Sequence, residues 1–418
     1  MNRHLLFIAL ISSAFAANAQ NVLIKNATVH TASSQGTLKN TDVLVQGGII
    51  RAVGKQLSAP AGTSSFDAQG RPLTPGLFAG ITGIGLEEVS AEDSTVDSTL
   101  NMKTGESGLI ENLRPEFDVT LAYNPRSTLL AVARVGGLSY TALGTSGALL
   151  SGQGSVMRLD GGYEPVANRR IPYIVIGSSK LEQSGSTRAA QFMLLEQAFN
   201  EARLPTAGDE RLLTSKGRAA LNQEMLSSRF FVSVNREADI RQVLKLAQKF
   251  NIRIALVGAS EAWRLADQIA ASKTPVFIDA LDVLPGSFEQ LGNTDDNAAR
   301  LQRAGVSVSF INGNDSHNAR KIRQVAGNAV ANGMPWEAGL AGITLAPAKA
   351  LGVDAQIGSI EVGKMADLVL WTADPLDVAS TAQAMWLAGK SIPMVSRQTL
   401  LRDRYLAPSN GLPRAYQQ

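Results

Sequence analysis

The 418-residue chain holds few side chains suited to hydrolytic or metal chemistry, with three histidines and no cysteine. The missing thiol excludes disulfide staples, thiolate metal ligands and a cysteine nucleophile. His4 lies in an apolar N-terminal segment and His30 at the end of a short strand pattern. A single imidazole without partners makes no metal site, so His30 reads as a packing or surface residue. His317 stands in Phe310-Ile311-Asn312-Gly313-Asn314-Asp315-Ser316-His317-Asn318, where Asp315 and His317 form the candidate acid–base couple. Asp-Ser-x-Asn before a helical run is equally a helix start, and Asp315 then caps a helix beginning near Asn318. Candidate ligand-binding residues are Ser316 in that segment, Asn235 and Arg236 at a strand end, and Gln153 in Ser151-Gly152-Gln153-Gly154. That small-residue turn can expose backbone N–H groups to an anion or serve as a tight turn. Arg236 offers a cationic wall to an acidic ligand or pairs with Glu237 or Asp239. Asp279, Asp282, Glu261 and Asp315 at strand ends read either as oxygen ligands for a hard cation or as loop acids facing solvent.

The elements that position these residues fall into two rhythms. Residues 22–74 are short strands with turns: Val22–Ile24, Thr28–His30, Asp42–Val45 and Ile49–Gly54. Gly47-Gly48 between the last two is a hairpin signal, since glycine tolerates positive φ at both turn positions. After Pro75-Gly76 helices alternate with apolar runs: Ser127–Val135 with Gly137–Leu143, Ile240–Phe250 with Ile252–Val257, and Ala298–Ala304 with Val306–Ile311. Such alternation argues for parallel strands with crossover helices, and over this length for a barrel. Residues 88–116 are polar and aperiodic, a long surface loop or lid. Gly177–Ser186 reads as loop and the stretch on to Ser215 as largely helical, best over Ala189–Ala202. Strand patterning returns at Ser359–Val369 and Met385–Ser391.

Three segments carry a family resemblance. Asp67-Ala68-Gln69-Gly70-Arg71-Pro72-Leu73-Thr74-Pro75-Gly76-Leu77 is the first. The second is Gly342-Ile343-Thr344-Leu345-Ala346-Pro347-Ala348-Lys349-Ala350-Leu351-Gly352 with Gly358-Ser359-Ile360-Glu361-Val362-Gly363-Lys364-Met365-Ala366-Asp367-Leu368-Val369-Leu370 and Asp374-Pro375. The third runs from Ser151 to Gly161. Together they resemble the amidohydrolase superfamily of metal-dependent hydrolases, and most closely its exported imidazolonepropionase-like members. The resemblance implies an α/β fold, a (β/α)8 TIM-like barrel over 76–352, with a small β-sandwich built from segments 20–75 and 353–418. It also implies one or two divalent ions, zinc or another, at the C-terminal mouth. The family's ligands are H-x-H on strand one, a histidine on each of strands five and six, and an aspartate on strand eight. Here Ile81 and Gly83 occupy the H-x-H places, Ser233 the strand-five place, Val257 or Gly258 the strand-six place, and Asp315 matches the aspartate. No metal or other cofactor is therefore expected.

Arg3, the apolar run Leu5–Leu10 and the small residues ending Ala17-Asn18-Ala19 form a secretory signal over residues 1–19. The expected location is periplasmic or secreted, without a membrane anchor. A net charge of +3 with no basic tract gives no footprint for nucleic acid. Two functions follow. One is a protein of the amidohydrolase family without metal-dependent catalysis, a ligand-binding module or the partner subunit of an active relative, in a homo- or hetero-oligomer. The other is a hydrolase of carbon–nitrogen bonds, cyclic amides included, working with a reduced site around Asp315 and His317.

Overall fold

The computed structural model describes residues 21–100, 112–178, 184, 186–204, 211–313 and 316–406. Five strands open the chain: β1 (Val22–His30), β2 (Thr37–Gln46), β3 (Ile49–Gly54), β4 (Ser64–Asp67) and β5 (Pro72–Pro75). Val22–Ile24 and Thr28–His30 are one strand, interrupted at Asn26, whose φ of 54° breaks the register with β2. Gly47 and Gly48, at φ 60° and 80°, close the β2–β3 hairpin as the sequence predicts.

The middle of the chain carries β6 (Leu77–Thr82), α1 (Thr128–Val135), β7 (Leu138–Leu143), β8 (Leu150–Gly154), β9 (Val156–Arg158), β10 (Ile171–Val175), α2 (Arg188–Arg203) and α3 (Ser215–Ser227). It continues with β11 (Arg229–Val234), α4 (Glu237–Phe250), β12 (Arg253–Gly258), α5 (Ala266–Ala271), β13 (Val276–Ile278), α6 (Asn297–Arg303) and β14 (Val308–Phe310). Helices α7 (Ile322–Ala331), α8 (Trp336–Ala341) and α9 (Leu345–Leu351) lead to β15 (Leu368–Trp371), β16 (Ala382–Leu387), β17 (Lys390–Ile392) and α10 (Arg397–Leu406).

The two chain ends share one eight-stranded sheet, because β5 pairs on one side with β1 and on the other with β15. Strand patterning over Ser359–Val369 is corrected here: only Leu368 onward is strand. Gly358 and Gly363, at φ 95° and 94°, turn the preceding stretch instead. The helical expectation up to Ser215 is also too long, since α2 ends at Arg203 and Thr214 caps α3 through its hydroxyl.

Strands β10 to β14 run parallel in sequence order, and β6 runs parallel to β7. Between these groups β8 and β9 run antiparallel to β10 and β7. Both faces of the parallel strands are apolar, as expected where helices cover one face and a core fills the other. Phe231, Ala255 and Phe277 join Phe78, Tyr140 and Tyr173 in an interior cluster. Their neighbours Phe230, Val232, Ile254, Leu256, Val276 and Ile278 face the surrounding helices. On α4, Ile240, Val243, Ala247 and Phe250 are the buried stripe, at the spacing a helix needs to keep one face inward.

Asp367, from the second motif, joins the end sheet to this body. It is buried, accepts a hydrogen bond from the Tyr140 hydroxyl on β7, and also accepts from the Ala388 N–H. Burial raises its carboxyl pKa, while the Arg158 charge and the Tyr140 hydrogen bond oppose that rise. Within the end sheet, Trp371 on β15 donates to the Thr74 hydroxyl on β5 at 2.9 Å.

Candidate functional site

In parallel α/β proteins ligands gather where strands end, so the C-terminal ends of β6 and β10–β14 define the candidate site. Beyond β6 the chain turns at Gly83. Its N–H donates to the Ser316 hydroxyl at 2.8 Å, and the Ser316 N–H donates to Glu87 Oε1 at 3.0 Å. Both Glu87 and Ser316 are buried. A Cβ added at Gly83 would meet Glu87 Oε2 and Ser316 Oγ at 3.2 Å each. The space that a side chain on Gly83 would fill is therefore taken by this hydrogen-bonded pair.

The same rim is apolar on its inner side. Ile81, Val257 and Ile311 pack against the interior aromatic cluster rather than presenting donors. Ile81 also packs closely on the strand beside it, since a Cβ on Gly144 would fall 2.7 Å from its Cγ2. Ile81, Gly83 and Val257 offer no side-chain donor atom, so these positions do not fit a divalent ion. Among the described residues no group of three or more His, Cys, Asp and Glu side chains converges in metal-binding geometry.

The acids considered as oxygen ligands serve separate local roles. Asp279 accepts from the Gly313 N–H at 2.9 Å and the Leu281 N–H at 3.0 Å, tying the end of β13 to the segment after β14. Burial raises its carboxyl pKa against these hydrogen bonds. Glu261 accepts from the Glu237 N–H at 2.8 Å and so caps α4. Asp282 accepts from the Gln290 side chain.

The sequence-derived candidates do not form one constellation. Asp315 lies outside the described residues. His317 is exposed on a 3-10 turn over Ser316–Lys321, and Ser316 belongs to the Glu87 lock. Asn235 accepts from the Ser260 hydroxyl at 3.1 Å. The Arg236 guanidinium lies 3.9 Å from Asp239, one of the two partners expected of it. Asp239 also takes Arg188 at 3.0 Å, and Arg188 in turn bonds Glu289.

Gln153 is at the opposite end of the strands: it pairs with Pro172 near the start of β10. Ser151–Gly154 is strand, which corrects the turn expected there, and the Gln153 N–H is spent on the Phe117 carbonyl at 2.7 Å. His30 packs its ring 4.7 Å from that of Trp336, in line with the packing role read for it. Its imidazole pKa is lowered by burial, with Asp374 and Glu337 opposing. Of the long polar segment, 101–111 lie outside the described residues. The rest of it is not all surface, because Leu113 is buried in the main core.

Sequence reasoning does not find Glu87. Nothing in Leu86-Glu87-Glu88 distinguishes the buried Glu87 from the less buried Glu88 beside it, and only the fold brings Ser316 to it.

Residues 265–395 match the amidohydrolase family model. Over 113 residues the chain is 50% identical to the imidazolonepropionase of Pseudomonas aeruginosa, covering 26% of this chain and 27% of that protein. It is 34% identical over 89 residues to an amidohydrolase of Hapsidospora irregularis, 21% of this chain and 9% of that one. It is 30% identical over 139 residues to the urease alpha subunit of Edwardsiella ictaluri, 33% of this chain and 23% of that one. These matches thus span less than a third of each relative's length. Among solved structures, an amidohydrolase from Thermotoga maritima superposes with a TM-score of 0.78 at 24% identity, covering 89% of this chain and 99% of that one. That likeness shows a TIM-barrel-like α/β fold. The sequence likeness to amidohydrolases thus covers part of the chain, and the likeness of fold covers 89% of it.

Proposed function

We propose that this is an exported amidohydrolase-superfamily protein that has given up metal-dependent hydrolysis and acts as a ligand-binding module or as the partner subunit of an active relative. The observation that carries this reading is the rim: Ile81 and Val257 pack on the interior core, and Glu87 with Ser316 fills the space beside Gly83. A hydrolytic ion lowers the pKa of its bound water from about 15.7 to about 7. Apolar side chains and a glycine provide no donors to hold such an ion.

In this reading the parallel strands close as a (β/α)8-type barrel, with β8 and β9 as its antiparallel member. Support comes from the Phe310 and Phe78 N–H groups, which donate to the adjacent Gly342 and Ile343 carbonyls at 3.1 and 2.9 Å and so draw β14 and β6 together. The end sheet would be the sandwich, curled around Ile24, Val43, Leu73, Leu368 and Trp386. Export rests on the N-terminal segment, which lies outside the described residues. Among the described residues no helix is long and apolar enough to cross a membrane.

The test is a zinc and manganese titration followed by heat denaturation, run beside a cyclic-amide hydrolysis assay. An ion at 100 times its Kd stabilises by roughly 2.7 kcal/mol. The proposal expects no saturable rise in Tm and no turnover above buffer. A saturable rise that disappears in Asp315→Ala, together with turnover, would instead establish a reduced hydrolytic site.

A further inference from the structure

A cavity of about 740 Å³ opens at the other end of the strands, lined by the starts of β10, β11 and β12, the last turn of α3 and the end of α9. That volume falls in the range of small-molecule sites, roughly 300–1,000 Å³. Its wall is cationic, with Arg169, Arg170, Arg229, Arg253 and Lys349 all lining it. Arg170 is neutralised by Asp118 at 2.6 Å. Among the described residues no carboxylate lies within ion-pair distance of the other four.

Two of these cations are directly opposed. The register of β11 with β12 makes Arg229 and Arg253 Cα partners, and like charges at facing strand positions are destabilising. Arg229 is half-buried, bonds the Ala350 carbonyl at 2.9 Å, and leaves its Nε without a partner. Each protein partner these two arginines do have is a backbone carbonyl, for Arg253 that of Ser227.

Glu224 on α3 is the one acid among the described residues of the wall. It is only 3% exposed, and neither carboxyl oxygen has a hydrogen-bond partner. Burial holds its pKa well above the ordinary carboxylate value. Glu116 and Asp118 add to that rise, and Arg170 opposes it. A protonated Glu224 is a hydrogen-bond donor, so it complements an acceptor-rich anion instead of competing with it.

We propose that this cavity is a binding site for a small polyanion of the phosphate or polycarboxylate class, with Arg229, Arg253, Arg169 and Lys349 supplying the charge. Four unpaired cations call for at least two acidic groups on the ligand, and guanidinium forks suit phosphate and carboxylate oxygens alike. The site lies on the opposite face from the rim formed by Gly83, Glu87 and Ser316, so it stands whether or not that rim is catalytic.

Calorimetric titration of the full chain with pyrophosphate and with citrate, each against sodium chloride at equal ionic strength, tests it. Saturable binding of either probe at one site per chain is expected, and the preferred probe assigns the ligand class. Arg253→Gln combined with Lys349→Gln changes two exposed side chains and should weaken that binding by about tenfold or more. Arg229→Gln should do the same, and if it fails to fold the double variant still decides. Absence of saturable binding for both probes, or unchanged affinity in the folded double variant, overturns the proposal.

Discussion

Glu87 and Glu224 are both buried carboxylates, yet they do opposite things. Glu87 satisfies a buried N–H on Ser316, so Glu87→Ala strands that donor away from water. The expected loss is about 1–3 kcal/mol in urea unfolding, and a change within error would mean that the lock does not hold the rim. Glu224 has no partner, and its folded pKa is raised. Between the unfolded carboxyl value and that raised value, the folded state keeps a proton that the unfolded state releases. Its contribution to stability is therefore full below the unfolded value and is lost as the pH rises through the folded one. Glu224→Gln should accordingly raise Tm at neutral and alkaline pH, with the gain vanishing below about pH 4. A gain that is constant from about pH 4 to about pH 9 would contradict this.

At the scale of elements, glycines in the third motif set how closely β8 can approach its neighbours. A Cβ on Gly154 would lie 2.0 Å from the Leu143 carbonyl oxygen, and one on Gly152, at φ 96°, 2.3 Å from that of Phe117. Backbone cannot yield as a flexible side chain can. Gly154→Ala should thus lower stability by several kcal/mol, at the upper end of single-residue effects, and a thermal melt close to wild type would refute the close approach. Tyr140→Phe removes the hydroxyl from buried Asp367 and should cost about 1–3 kcal/mol, read as a lower Tm. Much at this scale is legible in the sequence: the helix read over Ser127–Val135 forms as α1, with Ser127 as its cap, and the Gly47-Gly48 hairpin forms where alternation predicts it. Ser151–Gly154 misleads because small residues suggest a turn, whereas here they permit tight strand packing. The cationic floor is invisible in the sequence because Arg169, Arg229, Arg253 and Lys349 are far apart along the chain and meet only through strand order.

At the scale of the whole molecule, the chain keeps the amidohydrolase-like architecture while at one end of its strands the space beside Gly83 is filled by Glu87 and Ser316 and the other end is open and cationic. The family motifs speak for the fold, and the residues at the motif's chemical positions speak for what the rim lacks; neither reveals that Glu87 takes up the vacated space. Fold and activity are separable in this way because the barrel-like core depends on Phe231, Phe277 and their neighbours, not on the rim. The most direct test is elemental analysis of the full chain, produced with excess zinc and manganese and then dialysed. The proposal predicts metal far below one ion per chain; a retained ion at one per chain, lost on Asp315→Ala, would contradict it.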